Sequence, residues 1–368
     1  MQEFDIVNNL ERFKNITPGE LPARIASLSE PAFRARQIFK WVYQKRVESF
    51  DSMNNMPKAL RERLSGIFTI QKLKPLVIKE SRRGDAVKFG FSLVESPHLA
   101  ESVLLYDDDR RTACLSSQLG CGLGCVFCQT GKMGFIRNLT QEEIIGQLIG
   151  INDYLASKSD KPVTNIVFMG MGEALSNFQN FRTSLEIIMH EDAFNIGGRR
   201  ITVSTAGVIP SIEKLMRENL NVGLAISLNS FNNEQRSRLM PINKKYPIES
   251  LVSIAKAYYN KTGRRVTFEY VLIEGETDTQ VAVDRLQKLL GGFPCKINLI
   301  PLNPSGDLLL EKTSEKSVER FSDELHRRGL SATIRKSRGA DIQGACGQLA
   351  GRRLEVSSDQ EQEISTAR

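Results

Sequence analysis

The chain has 368 residues, 40% hydrophobic and 25% charged, which is ordinary for a soluble globular protein and more than one typical domain. No apolar run approaches the length of a membrane span, and the opening MQEFDIVNNLERFK lacks the succession of a secretory signal, so a cytoplasmic protein is expected. In that reducing compartment six cysteines do not read as a disulfide framework, and a cluster of them reads as metal-binding or catalytic. The net charge of +7 is modest but unevenly placed: residues 1–90 carry 17 Lys and Arg against 10 Asp and Glu, and the remainder balances at 33 against 33. A basic appendage on a neutral core suits attraction of a phosphate backbone, and equally a solvated basic face.

The first 70 residues read as helical. In PAFRARQIFKWVYQKR, Ala35, Ile38, Phe39, Val42 and Tyr43 share one face at helical spacing. Trp41 leans toward Arg34 and Lys45, either to stack on a nucleobase or to close the margin of a small core. KLKPLVIKE and AVKFGFSLVES then alternate as strands. From residue 101 strands and helices take turns. Strands are predicted at TACLSS, NIVFMG, RRITVST, VGLAISL, RVTFEYVLI and KINLIPL, with an outer one at LSATIRKS. One helix starts at a capping box of Thr140 and Glu143, and others span about 177–190, 210–219, 247–260, 279–290 and 314–328. This alternation predicts a parallel sheet, open or closed into a barrel, with ligands at the C-terminal ends of its strands. The closing SSDQEQEISTAR reads as disordered.

Directly after the first strand of the alternation, CLSSQLGCGLGCVFCQTG holds four of the six cysteines. Cys121, Cys125 and Cys128 form CxxxCxxC, among glycines that let the backbone wrap closely. Three thiolates suit three corners of a 4Fe-4S cube and leave one iron open to a substrate or cofactor. The rival is a zinc site with Cys114 as fourth ligand, although zinc modules supply ligands in spaced pairs and His98, His190 and His326 are scattered. Thiols without metal are the third reading.

CxxxCxxC with Phe127 before its last cysteine resembles the radical S-adenosylmethionine (SAM) superfamily, and FMGMGEALSN strengthens the likeness. ESVLLYDDDRRTACLSSQLGCGLGCVFCQTG, RNLTQEEIIGQ, MPINKKYPIESL, CKINLIPLNP and IRKSRGADIQGACGQLAG narrow the resemblance to the RlmN/Cfr family of radical SAM RNA methyltransferases. FRARQIFKWVYQKRVESFDSM is similar to the family's N-terminal accessory domain, and the similarity runs over nearly the whole chain.

The resemblance implies an α/β fold: a partial (βα)6 TIM-like barrel with a small helical N-terminal domain. Its expected divisions are an RNA-binding accessory domain over 1–72, a β-rich linker over 73–100, the radical SAM core over 101–345 and a C-terminal segment over 346–368. It implies that Cys121, Cys125 and Cys128 hold the cluster, and that Gly172, Glu173, Ser204, Ser227, Leu228, Asn229 and Asn303 contact SAM. Asn229 departs from the histidine usual in the family. The resemblance also explains the distant cysteine of GACGQLAG. Carbon 2 of adenine is a poor nucleophile, so direct displacement on SAM cannot methylate it. In the family, the residue matching Cys346 takes a methyl group from one SAM, and a radical made from a second removes a hydrogen from that methyl. The carbon then adds to adenine, Glu101 matches the base that takes the C2 proton, and Cys114 matches the residue that releases product through a transient disulfide. Cys295 is expected to be a packed strand-edge cysteine.

RlmN-type enzymes methylate carbon 2 of adenosine 2503 in 23S rRNA and of adenosine 37 in certain tRNAs, whereas Cfr-type enzymes methylate carbon 8 of the same rRNA base. RKSRGADI looks more like RlmN, while Ala174 stands where RlmN usually has proline and resembles Cfr. The expected partners are 23S rRNA or tRNA and a flavodoxin-like electron donor, for a chain that acts as a monomer. A zinc-stabilised RNA-binding protein without catalysis is the alternative from another class.

Overall fold

A computed structural model of the chain describes residues 10–94, 96–303 and 310–351. The expected disorder of SSDQEQEISTAR lies outside the described residues.

One ten-stranded sheet organises the molecule: β1 (Pro75–Glu80), β2 (Ala86–Phe91), β3 (Ala100–Asp107), β4 (Arg110–Cys114), β5 (Asn165–Phe168), β6 (Ile201–Thr205), β7 (Gly223–Ser227), β8 (Thr267–Leu272), β9 (Lys296–Pro301) and β10 (Ala332–Ile334). Spatial order follows chain order from β1 to β10. β4 to β10 run parallel, each βα crossover returning the chain to the same end. β1 to β4 are antiparallel, so the stretch expected as a β-rich linker enters the main sheet as its outermost strands. The predicted outer strand at LSATIRKS is β10, at the opposite edge.

The helices of six residues or more are α1 (Leu21–Ala26), α2 (Phe33–Phe39), α3 (Lys58–Ser65), α4 (Gln141–Ser157), α5 (Phe178–Met189), α6 (Ile209–Glu218), α7 (Asn233–Leu239), α8 (Ile248–Thr262), α9 (Gln280–Leu290) and α10 (Glu315–Arg327). α4 begins at the predicted capping box: Thr140 accepts from the Glu143 amide at 3.2 Å while the Glu143 carboxylate accepts from the Thr140 amide at 2.9 Å. β2 is buried along its whole length because both faces are covered. Phe89 meets Tyr154 of α4 edge to face at 5.2 Å, and the opposite side of the strand lies under the C-terminal segment.

α1 to α3 form the small N-terminal unit, with the predicted face of Ala35, Ile38, Phe39, Val42 and Tyr43 buried. Trp41 packs at the margin of that core and donates to the Asn55 side chain at 2.7 Å. Part of its basic charge is spent on docking against the core. Arg36 binds Asp192 at 2.7 Å, Arg46 binds Asp153 at 2.7 Å, and Arg12 binds Glu142 at 3.1 Å.

Candidate active site

The cysteine loop grows from the C-terminal end of β4. Gln118–Gly120 pairs antiparallel with Phe135–Asn138 and closes the loop at its base. Gly120 sits there with φ of +66°, and a Cβ on it would fall 1.8 Å from the Gly134 carbonyl oxygen, so no larger residue fits. The Val126 amide donates to the Leu239 carbonyl at the end of α7 at 3.0 Å, fixing the far side. Burial pushes the Cys121 thiol up to about 11 and raises Cys125 and Cys128, with the neighbouring thiols adding repulsion. Such thiols ionise only when a cation takes them, which is what bound iron does.

Among the described residues no group of three His, Cys, Asp or Glu side chains has the geometry to hold a single metal ion. A 4Fe-4S cube asks for something else, one thiolate at each of three separate corners. Cys114, the fourth zinc ligand of the rival reading, is not grouped with the loop. It is buried at the end of β4, its thiol pushed up to about 12 by burial and then by the charge of Cys346. The loop cysteines therefore suit a cluster, and the zinc reading loses its fourth ligand.

A cavity opens at the strand ends. The three loop cysteines and Cys346 line it, with Gly172, Glu173, Ser204, Ser227, Asn229 and Asn303 of the expected SAM contacts. Gly172 has φ of +91°, and a Cβ there would come within 2.4 Å of the Gln118 side chain. Glu173 is buried and accepts from the amides of Ala206 at 2.8 Å and Leu175 at 3.2 Å. Burial raises its carboxyl to about 7. Asn229 adopts φ of +54°, a left-handed conformation in which asparagine and histidine are both enriched, so either can occupy this turn. Its side chain accepts from the Val271 amide at 3.1 Å. Asn303 donates to the Cys346 carbonyl at 3.1 Å.

Three expected residues do not line the cavity: Cys114, buried at the end of β4, Leu228 and Glu101. Leu228 is wholly buried, its amide donating to the Glu269 carbonyl at 3.0 Å and its carbonyl accepting from Arg236 at 2.9 Å. Glu101 is also buried, ion-paired with Lys88 at 2.8 Å and accepting from the amides of Ala350 at 2.8 Å and Gly351 at 3.2 Å.

Residues 115–285 match the model of the radical SAM superfamily, and residues 12–70 that of the ribosomal RNA large subunit methyltransferase N-terminal domain. A probable dual-specificity RNA methyltransferase RlmN of Dictyoglomus turgidum is 45% identical over 87% of this chain and 91% of its own. A dual-specificity RNA methyltransferase RlmN of Marinobacter nauticus is 42% identical over 90% of both. The chain belongs to the RlmN family of radical SAM RNA methyltransferases. The crystal structure of a radical SAM methyltransferase from Sphaerobacter thermophilus superposes with a TM-score of 0.88 at 41% identity, covering 93% of this chain and all of that one. An RlmN-family chain works with a 4Fe-4S cluster and SAM, and the cavity offers the donors for both. No described helix is long and apolar enough to cross a membrane.

Two cavity-lining residues, Arg335 and Glu269, and the buried Arg236 had no role in the sequence reading. Arg335, just after β10, lines the cavity and is held charged first by the Cys346 sulfur, with Glu269 and Cys114 adding to it against the cost of burial. Glu269 on β8 lies 3.9 Å from that guanidinium, and its Oε2 is buried without a hydrogen bond. Arg236 on α7 is fully buried and donates to the carbonyls of Ala206 at 2.8 Å and Ser227 at 2.8 Å, tying the ends of β6 and β7 together. Asn243, from the quoted MPINKK, accepts from the same guanidinium at 3.0 Å. An arginine on a helix gives no sequence signal that it will turn inward. Only its neighbours in space do.

Proposed function

We propose that this chain methylates carbon 2 of adenosine in RNA, adenosine 2503 of 23S rRNA and adenosine 37 of tRNA, through an S-methylated Cys346 and with two SAM per turnover. The observation that carries this reading is the placement of Cys346 on the cavity that the three cluster cysteines line, near enough to the buried Cys114 for its charge to help hold that thiol up. When bound, the cluster and SAM supply the electron, the methyl group and the hydrogen-abstracting radical.

The chain's own residues do the rest. Cys121, Cys125 and Cys128 hold the cluster, and Glu173 receives the ammonium of SAM. Arg335 offers positive charge to the sulfur of Cys346, the methyl acceptor. After the carbon has joined adenine and the adduct has lost one electron and the C2 proton, the Cys114 sulfur gives up its proton and attacks that of Cys346; the electron pair of the broken carbon–sulfur bond goes to the carbon, which takes a proton to become the methyl group, and a thiol reductant reopens the Cys114–Cys346 disulfide before the next turnover. Burial keeps Cys114 a thiol until then and shields it from solution oxidants. Glu101 can serve as the base only by letting go of Ala350 and Gly351.

With part of the N-terminal basic charge committed to docking, exposed Lys79, Arg82 and Arg83 at the β1–β2 turn are a face for RNA phosphates. The target adenine would leave its stack to enter the cavity. A flavodoxin-like donor, a cytoplasmic location, a monomeric state and the domain divisions given above complete the reading. Anaerobic reconstitution with RNA followed by mass analysis of nucleosides tests it. The expected product is 2-methyladenosine; 8-methyladenosine would replace this reading with the Cfr-like one.

A further inference from the structure

The C-terminal segment that carries Cys346 is held at both ends by one buried ion pair. In the β2–β3 register Lys88 faces Val103 and Gly90 faces Glu101, so Lys88 and Glu101 are diagonal neighbours on the same side of the sheet. Their side chains meet at 2.8 Å under the segment, both nearly inaccessible to solvent. Lys88 Nζ also donates to the Gln343 carbonyl at 3.2 Å, three residues before Cys346. The second Glu101 oxygen takes the amides of Ala350 and Gly351, four and five residues after it. Between these grips the segment touches the turn that follows the last cluster cysteine: the Gln129 amide donates to the Gly347 carbonyl at 2.8 Å and the Thr130 hydroxyl to the Leu349 carbonyl at 2.6 Å.

We infer that Lys88 and Glu101 are positioning residues, a clasp that sets where the Cys346 sulfur stands relative to the cluster loop and to Cys114. A buried pair of this kind is a costly way to gain stability, but it fixes a unique arrangement as long as both partners are present. Removing the ammonium strips one end of the segment of its charge-assisted bond and leaves the carboxylate at the other end without a counter-charge. The inference draws its functional meaning from Cys346 as methyl carrier, but its test needs no methylation.

The test is alkylation by iodoacetamide, under anaerobic conditions, of enzyme purified without its cluster, reconstituted with iron and sulfide in the absence of SAM and shown by intact mass to carry an unmethylated Cys346, with modification of each cysteine followed by peptide mass spectrometry. Cys295, buried far along the chain beside Phe293, reports on global opening. A charge-assisted hydrogen bond is worth more than one decade of equilibrium, so Lys88→Met should speed modification of Cys346 about tenfold or more, with Cys295 unchanged. Lys88→Arg, which keeps the charge, should stay near wild type. Unchanged Cys346 reactivity in Lys88→Met would overturn the clasp. So would a parallel rise at Cys295, which would mean that the pair holds the fold and not the segment. Glu101→Gln gives the same readout from the other partner should Lys88→Met not yield folded protein. Failure of the methyl-carrier reading would appear separately, as absence of methylated Cys346 in wild-type enzyme.

Discussion

Two sets of sulfurs, one lining the cavity and one reaching it through Cys346, are built in opposite ways. The loop of Cys121, Cys125 and Cys128 is local: fourteen residues of chain, closed by a short hairpin, bring its ligands together whatever happens elsewhere. The pair of Cys114 and Cys346 is tertiary. One partner ends a central strand, and the other lies on a segment carried back across the sheet and gripped by Lys88 and Glu101. A cofactor that stays bound can be held by a self-sufficient loop. A sulfur that must receive a group, deliver it and be released is better placed on an element whose attachments can be made and broken.

If the two sets are independent, they should come apart under mutation. The largest effect is expected from Cys346→Ala: methylation falls below detection while the iron and sulfide content and the visible absorption of the reconstituted cluster match wild type. Cys125→Ala should lose both. A Cys346→Ala protein without a cluster would break the distinction. Arg335→Met should come next. By removing a buried charge from beside both working sulfurs it should slow methyl loading of Cys346 by roughly ten- to a hundredfold, read from the mass of the intact protein, with the cluster unaffected.

A smaller, graded effect should be seen at Glu173. Its carboxyl is raised to about 7 by burial, so below that pH it is neutral and offers an ammonium no counter-charge. SAM affinity of the enzyme should therefore drop as pH falls below 7, by up to about tenfold per unit, and the dependence should flatten in Glu173→Gln. The sign for stability is the reverse. A carboxyl raised above its unfolded value stabilises the ligand-free chain fully below the ordinary carboxylate range, and that contribution is lost as pH rises through about 7.

The parallel core could be read from the sequence because each βα unit carries its own period: Thr140 and Glu143 announce α4, and the apolar runs that become β5 to β9 are short, largely buried and separated by helical stretches. The antiparallel extension was legible as strands but not as part of the same sheet, since alternation shows which faces are buried and says nothing about which edge supplies the hydrogen bonds. The same limit applies at the site. Spacing alone singled out Cys121, Cys125 and Cys128, whereas Cys114 and Cys346 needed family resemblance, and Arg335, Glu269 and Lys88 were given no role because their partners lie on other strands or segments.

The most direct test of the division between the two sets is the Cys114→Ala enzyme, incubated anaerobically with RNA, SAM and reductant and then examined for protein bound to RNA. Capture of the RNA as a covalent adduct that maps to Cys346 is the expected result, because the carbon can still be delivered but the bond to sulfur cannot be released. Normal turnover to free methylated RNA, or no adduct from an enzyme whose cluster is intact, would contradict it.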